Sequence, residues 1–481
     1  MSDRLFVELY GCMTSFIPIQ EEQVTTLSGG KLNYPKLYTK LEQCGLTITS
    51  VVHDPGRKIE NTYYADYERG VYGCLNAYLS GKTPNELHRL SSLATEGNTY
   101  LRNRAWRDYY IQTVPLPMWI YDFSRRMRDI GEGQVFEVWL CLNKRISYSN
   151  GMWSREVLEY VFDHAPEKTS LPDTEENGMV TLYRGMGAKS LPAEEAISWT
   201  TKPWSAMWFA HHSGHGTGLV TAEITPDEIV AYLAGNWEEN EVLVRPGTVR
   251  NIRYEDMIPV SHEKALELTT PTMLEFAFYG EQARKLGYRK ESLFHFHGLQ
   301  HVQRVLILSL IFYYNSGISL TEEDKWILVY FSLLHDVARL YGSGDEEQHG
   351  AEAVKIIQSS GLRVKHLKLS KKDYRIAHLI IRCHSIEDTD GLAAIRKEPG
   401  FSKRDRERTE LLLWICKDMD ALDRLRFGGL DYRLLRTEYA KRLPLIAGYF
   451  LKDDIDLVQQ LLFQTIKNDA YEKARERRPG S

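Results

Sequence analysis

The sequence is poor in the features that would place a protein in a membrane or in an oxidising compartment. Its 481 residues include six cysteines (Cys12, Cys44, Cys74, Cys141, Cys383 and Cys416), scattered with no C-x-x-C pair. That argues against a cysteine-rich zinc site or a disulfide framework and fits a reducing compartment. Long apolar runs are also missing. The most apolar stretches, VLILSLIF (Val305 to Phe312) and WILVYFSLL (Trp326 to Leu334), fall well short of the roughly 20 residues a spanning helix needs. The opening MSDRLFVELYGC lacks the basic segment and apolar run of a secretory signal. The expectation is a cytoplasmic protein, or one delivered into another cell without a cleavable signal, with no membrane span. Charge of one sign is not in excess: the formal net charge is -5, which argues against a dedicated nucleic-acid binder. No repeat or low-complexity tract interrupts the chain. A hydrophobic content of 43% and a charged content of 26% describe an ordinary globular chain, long enough for roughly two to four domains.

Residues 1–134 carry no chemical motif. The stretches Glu60 to Leu79, Thr83 to Leu90 and Arg102 to Tyr110 predict short aromatic-rich helices, with Tyr63, Tyr64, Tyr67, Tyr72 and Tyr78 read as core. FEVWLCL (Phe136 to Leu142) fits a strand or a buried helix, and periodicity does not decide. A helix is expected over Ser154 to Phe162 and a loop over Pro166 to Asn177. From Met179 the pattern becomes one of short strands between turns: MVTLYRG, AISWTT (Ala196 to Thr201), LVTAEI (Leu219 to Ile224), IVAYL (Ile229 to Leu233) and EVLVRPG (Glu241 to Gly247), with a helix after AISWTT. After Val260 the chain reads as long helices, with a boundary at 262–272. The tail after Ala470 reads as a solvated helix end.

Three polar features of the middle region suit one chemistry. Arg184 ends a strand and is followed by Gly185, and an arginine fork grips a pyrophosphate in bidentate fashion. Ser198 and Thr200 flank Trp199 on a strand, so the hydroxyls share one face and the indole takes the other. Glu239 and Glu241 lie two apart just before a strand, although Glu238 leaves the register of that pair open. A carboxylate set on a ribose hydroxyl stabilises positive charge developing at the anomeric carbon. LYRG (Leu182 to Gly185), SWTT (Ser198 to Thr201) and ENE (Glu239 to Glu241), in that order, resemble the Arg-Ser-Glu class of ADP-ribosyltransferases over about residues 135–262. The resemblance implies NAD as substrate, Arg184, Ser198 and Thr200 in the NAD pocket, Glu241 as the catalytic carboxylate and Glu239 orienting the acceptor, with arginine favoured among acceptors.

The C-terminal half presents metal-type ligands on apolar helices. His335 and Asp336 sit inside YFSLLHDVARL, where burial costs free energy unless a cation satisfies them. Upstream, HFHGLQHVQRV offers His301, with His297 as its alternative. Downstream come His349, His384 and then Asp420 in LLLWICKDMDALDRLR, with Asp418 as its alternative. His366 and His378 read as surface or satisfied histidines, and His53-Asp54 as a chance pair. HGLQHVQRV, LLHDVAR and DMDALDRLR resemble the HD-domain metal-dependent phosphohydrolases over about residues 275–430, within a domain placed at 272–481. The resemblance implies that His301, His335, Asp336 and Asp420 bind a first divalent metal (Mn, Fe, Mg, Zn or Ni). It also implies that Asp336 bridges to a second metal held by His349 and His384, with Asp336 central to catalysis. Arg304 and Arg339 would neutralise phosphate or form ion pairs.

The fold expected is therefore multidomain, α and α+β: a β-rich transferase-like domain followed by an all-α HD-type domain. The function expected is a bifunctional enzyme. One site would transfer ADP-ribose to a protein acceptor, or to a nucleic-acid acceptor. The other would hydrolyse a nucleotide or phosphodiester substrate. Two alternatives are an HD-type nucleotide phosphohydrolase with a non-catalytic β-rich recognition domain, and phosphoribosyl-ubiquitin chemistry of the SidE type.

Overall fold

The structure, a computed structural model, describes residues 16–53, 62–146, 151–168, 170–212, 216–234, 240–288, 298–341 and 347–451. Two antiparallel sheets lie in the N-terminal half, and the C-terminal half is helical. No helix among the described residues is long and apolar enough to cross a membrane.

The first sheet has the order β1 (Ile17–Pro18), β2 (Val51–His53), β3 (Thr62–Asp66), β4 (Val71–Cys74). It packs with helices α1 (Glu21–Leu27), α2 (Tyr34–Gln43) and α3 (Glu86–Glu96). Glu60 to Leu79 is expected to be helical; among the described residues Asn76–Leu79 is a short helix, but strands stand at Thr62–Asp66 and Val71–Cys74 instead. Gly70, at φ +61°, turns the chain between β3 and β4, a left-handed conformation that a helix does not pass through. Side chains then alternate across the sheet: Tyr64 and Val71 face the small core of this unit, while Tyr63 and Tyr72 face the next layer.

That layer is helical: α4 (Trp106–Thr113), α5 (Trp119–Ile130), α6 (Glu132–Asn143) and α7 (Arg155–Asp163), gathered around Phe123 and Trp139. The ambiguous FEVWLCL stretch is α6, because Val135, Phe136, Val138, Trp139 and Leu142 all bury against α5 and α7. The helical layer thus runs to Asp163, so a domain boundary at 134 would cut through it. Buried Asp122 accepts a hydrogen bond from the Tyr72 hydroxyl and pairs with Arg126 at 3.0 Å, tying this layer to the first sheet.

The second sheet has the order β10-β7-β5-β6-β9-β8, with β5 Val180–Gly187, β6 Ser198–Thr200, β7 Gly216–Ile224, β8 Ile229–Leu233, β9 Glu241–Val244 and β10 Arg250–Tyr254. Helix α8 (Pro203–His212) lies so close on β5 and β7 that only glycine fits beneath it. A Cβ at Gly185 would stand 2.2 Å from the Ala206 carbonyl oxygen, and one at Gly216 would stand 2.4 Å from that of Ala210.

The helical half begins at α9 (His262–Thr269) and continues with α10 (Met273–Lys285), α11 (Leu299–Asn315), α12 (Glu322–Leu334), α13 (His349–Ser360), α14 (Lys371–Cys383), α15 (Asp388–Lys397), α16 (Lys403–Leu422) and α17 (Pro444–Tyr449). Three of these start on a hydroxyl-x-x-Asp capping box: Thr321/Asp324, Ser370/Asp373 and Ser402/Asp405. In each, the cap side chain and the aspartate reciprocally satisfy backbone N–H groups that the first turn leaves open. The caps fix where α12, α14 and α16 begin, and hence where their far ends fall. The core of this half runs without a break into α8 and β5 through Tyr183, Ala206, Met207 and Ala210.

Candidate metal centre and a carboxylate site on the second sheet

Six side chains from the ends of five helices meet in the helical half. His301 lies in the first turn of α11 and His349 opens α13. His335 and Asp336 follow the last residue of α12, His384 follows the last residue of α14, and Asp420 lies in the last turn of α16. His301, His335, Asp336, His349 and His384 are buried, while Asp420 keeps about a third of its side-chain exposure (32%), so the cluster opens to solvent on that side.

The distances suit one cation among four donors. His301 Nε2 is 3.1 Å from His335 Nε2, 3.4 Å from Asp336 Oδ2 and 3.3 Å from Asp420 Oδ1. His335 Nε2 is 3.8 Å from Asp336 Oδ2 and 3.6 Å from Asp420 Oδ1. A cation about 2.1 Å from each donor places neighbouring donors about 3.0 Å apart in octahedral geometry and about 3.4 Å in tetrahedral geometry. Asp336 turns its other oxygen the opposite way: Oδ1 is 3.4 Å from His349 Nε2, which is 2.9 Å from His384 Nε2. Two candidate trios, His301-His335-Asp336 and Asp336-His349-His384, thus share one carboxylate.

The hydrogen bonds behind the rings decide which nitrogens carry lone pairs. His335 Nδ1 lies 3.2 Å from the Phe331 carbonyl and His384 Nδ1 lies 2.6 Å from that of Ile381. A carbonyl only accepts, so both rings hold their hydrogen on Nδ1 and present a bare Nε2. His301 Nδ1 lies 2.7 Å from Asp423 Oδ2. Arg426 Nη1 is 2.8 Å from the same nitrogen, but a guanidinium only donates, and the Asp423 carboxylate, which only accepts, takes the ring hydrogen. His301 Nε2, His335 Nε2 and the oxygens of Asp336 and Asp420 then point lone pairs at one buried place. Such an arrangement repels itself unless a cation sits there. Without a metal, that cation is a proton. Burial opposes charge on His301, but its hydrogen bonds to Asp336 and Asp420 outweigh burial and raise its pKa. Burial likewise works to raise the pKa of Asp420, yet His301 and His335 hold it well below the usual carboxylate range. Burial and the neighbouring His335 push His384 down to about 3, so its ring is neutral.

Asp423 is a participant that the motif reading passed over. Arg304 donates to both of its oxygens and Arg426 pairs with it as well. Three residues past Asp420 on the same helical turn, it sat at the spacing that could have revealed it. Arg304 is thereby an ion-pair partner, whereas Arg339 directs Nη2 to His349 Nδ1 at 3.3 Å. Asp418 is not a ligand. It faces away from the cluster and accepts from the backbone N–H groups of Arg436 and Thr437 and from the Thr437 hydroxyl. His378 bonds the Tyr330 hydroxyl, His366 packs edge-on to Phe278, and His53 bonds Thr62. His297 lies outside the described residues.

On the second sheet, β5, β6 and β9 are neighbours. Thr200 pairs with Glu241 across β6 and β9, and the Ser198 hydroxyl donates to Glu241 Oε1 at 2.7 Å. Arg184 donates through Nη1 to the Ser198 carbonyl at 2.6 Å. Its Nε is buried with no hydrogen-bond partner among the described residues. Burial lowers the Arg184 pKa to about 10, against the opposing pull of Glu241. Trp199 buries opposite the hydroxyls, among Leu182, Val220 and Val242. Thr200 accepts from the Lys202 backbone N–H. Glu239 lies outside the described residues. No family model, curated protein or solved structure matches the chain.

Proposed function

We propose that the helical half is a metal-dependent phosphohydrolase or phosphodiesterase of the HD type. The observation that carries this reading is the buried trio of donors from His301, His335 and Asp336, with Asp420 Oδ1 within 3.3 Å and 3.6 Å of the two histidine Nε2 atoms. In this reading those four hold a first divalent cation, and Asp336, His349 and His384 hold a second. Mixed nitrogen and oxygen donors suit Mn, Fe, Zn or Ni better than Ca. A cation so held supplies polarisation of a phosphoryl oxygen and a water acidic enough to attack near neutral pH. The chain's residues set the charge that favours an anionic substrate. Asp336, Asp420 and Asp423 are balanced by Arg304, Arg339 and Arg426, so each divalent cation leaves two positive charges for a phosphate to meet. The Asp420 side, where the cluster opens, admits it. The test is hydrolysis of bis(p-nitrophenyl) phosphate and of nucleotides by the full chain with Mn²⁺, against Asp336→Ala. Equal rates in the two would overturn the reading.

A second activity has its own observation, the Ser198–Glu241 hydrogen bond beside a buried arginine. It supports NAD-dependent ADP-ribosyl transfer at the sheet. There Ser198 would aim the Glu241 carboxylate at a ribose hydroxyl, and Arg184 would hold β6 in place while its charge favours a pyrophosphate. Together the two sites make a bifunctional enzyme with a protein or nucleic-acid acceptor. SidE-type chemistry on ubiquitin is one form of that pairing. Nicotinamide release from NAD by the wild type, abolished in Glu241→Gln, is the expected result. No release from either would leave the hydrolase reading with a recognition sheet.

A further inference from the structure

The two halves of the metal cluster differ in one hydrogen bond. His301, His335 and His384 each turn Nδ1 to an oxygen that can only accept: Asp423, Phe331 and Ile381 respectively. His349 turns its Nδ1 to Arg339 Nη2, 3.3 Å away, a group that can only donate. With Nδ1 accepting, the neutral His349 ring carries its hydrogen on Nε2. That N–H faces the bare Nε2 of His384 at 2.9 Å and Asp336 Oδ1 at 3.4 Å. The second trio is therefore satisfied by a hydrogen bond in the metal-free chain.

A ring that binds a cation through Nε2 must move its hydrogen to Nδ1, and Arg339 cannot then donate there. Arg339 stands one turn past Asp336, its backbone N–H bonded to the Asp336 carbonyl at 2.9 Å, so a displaced guanidinium remains beside the cluster. Resting on the metal-centre reading, we infer that Arg339 and a second cation are exclusive partners of His349, and that a phosphate group bound at the cluster takes the guanidinium that the cation displaces. Binding of the second cation and of phosphate are then coupled through one side chain, since each favours the position of Arg339 that the other needs.

The test is calorimetric titration of the full chain with Mn²⁺, with and without inorganic phosphate, in wild type, Arg339→Met and Arg339→Gln. Two variants guard against misfolding of one. The wild type should bind one Mn²⁺ tightly and a second more weakly, with phosphate tightening only the second. Loss of a hydrogen bond from a charged donor is worth about tenfold, so both variants should bind the second Mn²⁺ about tenfold more tightly and should lose the phosphate effect, with the first site unchanged. A second site that is no tighter in either variant, or a phosphate effect as large as in wild type, overturns the inference while the metal centre stands. A wild type that binds no Mn²⁺ overturns both.

Discussion

Replacing Asp423 by asparagine should loosen the first cation site without touching any of its ligands. The Asp423 carboxylate accepts from His301 Nδ1 at 2.7 Å while Arg304 and Arg426 hold it from behind. An amide in its place offers one acceptor oxygen to three donors, and its NH₂ group faces one of them. Carboxylates that orient a metal-binding histidine contribute about 10–100-fold in metal affinity, or about 1.4–2.7 kcal/mol. The same change takes the carboxylate from buried Arg304 and from Arg426, and removing one partner of a buried ion pair costs about 3–5 kcal/mol of stability. Arg304→Met separates the two effects. It spares the Asp423–His301 bond, so it should lower thermal stability yet keep cation affinity. The assay is Co²⁺ titration, followed by the visible absorption that reports cobalt's ligand set, beside thermal unfolding of the metal-free proteins. Co²⁺ affinity in Asp423→Asn within about twofold of wild type, far below the expected loss, would refute the reasoning. So would an equal affinity loss in Arg304→Met.

Other consequences follow from the same geometry. Because the His301 pKa is raised, a proton holds the cation's place until the pH exceeds that value. Cation affinity should therefore climb as pH rises through it and fall below it, while His384, neutral down to about 3, adds no dependence near neutrality. Co²⁺ affinity across about pH 5.5 to 8.5 measures this, and a flat profile contradicts it. Asp418→Asn should lower thermal stability by removing an acceptor for Arg436 and Thr437 yet retain metal, whereas Asp420→Asn should do the reverse; metal content and melting of both variants give the comparison. Gly185→Ala drives a Cβ into backbone atoms of α8, at 2.2 Å and 2.5 Å, and should cost about 3 kcal/mol or more. Gly280→Ala meets nothing nearer than the Gln303 amide nitrogen at 3.8 Å, so its melting temperature should hold or rise.

The buried His/Asp cluster was legible because His335, Asp336, His384 and Asp420 interrupt or end otherwise apolar helices, and burial there demands an explanation. The choice between Asp418 and Asp420 was not. Both stand on one acidic stretch of α16, and only the packing of Arg436 and Thr437 against Asp418 separates them. Asp423 was within reach by helical spacing, but its role depends on Arg304, which comes 119 residues earlier in the chain. In the middle region short alternating runs marked the strands well, and β5 through β9 fall where the pattern placed them. The first sheet escaped because tyrosines at 63, 64 and 72 fit a helical core as readily as a strand. What decides is the turn at Gly70 and the pairing of Tyr63 with Cys74 and of Ala65 with Tyr72, which are tertiary facts. The helix of Phe136 to Leu142 was undecidable for the opposite reason: a segment buried on nearly every side has no period to read.

The central claim is that His301, His335, Asp336 and Asp420 hold a divalent cation, and anomalous scattering from crystals of the Mn²⁺-loaded full chain tests it most directly. The account predicts an anomalous peak bonded to those four side chains, and a weaker second peak between Asp336, His349 and His384. A loaded crystal with no anomalous density at the cluster, and metal content no higher than that of Asp336→Ala, would contradict it.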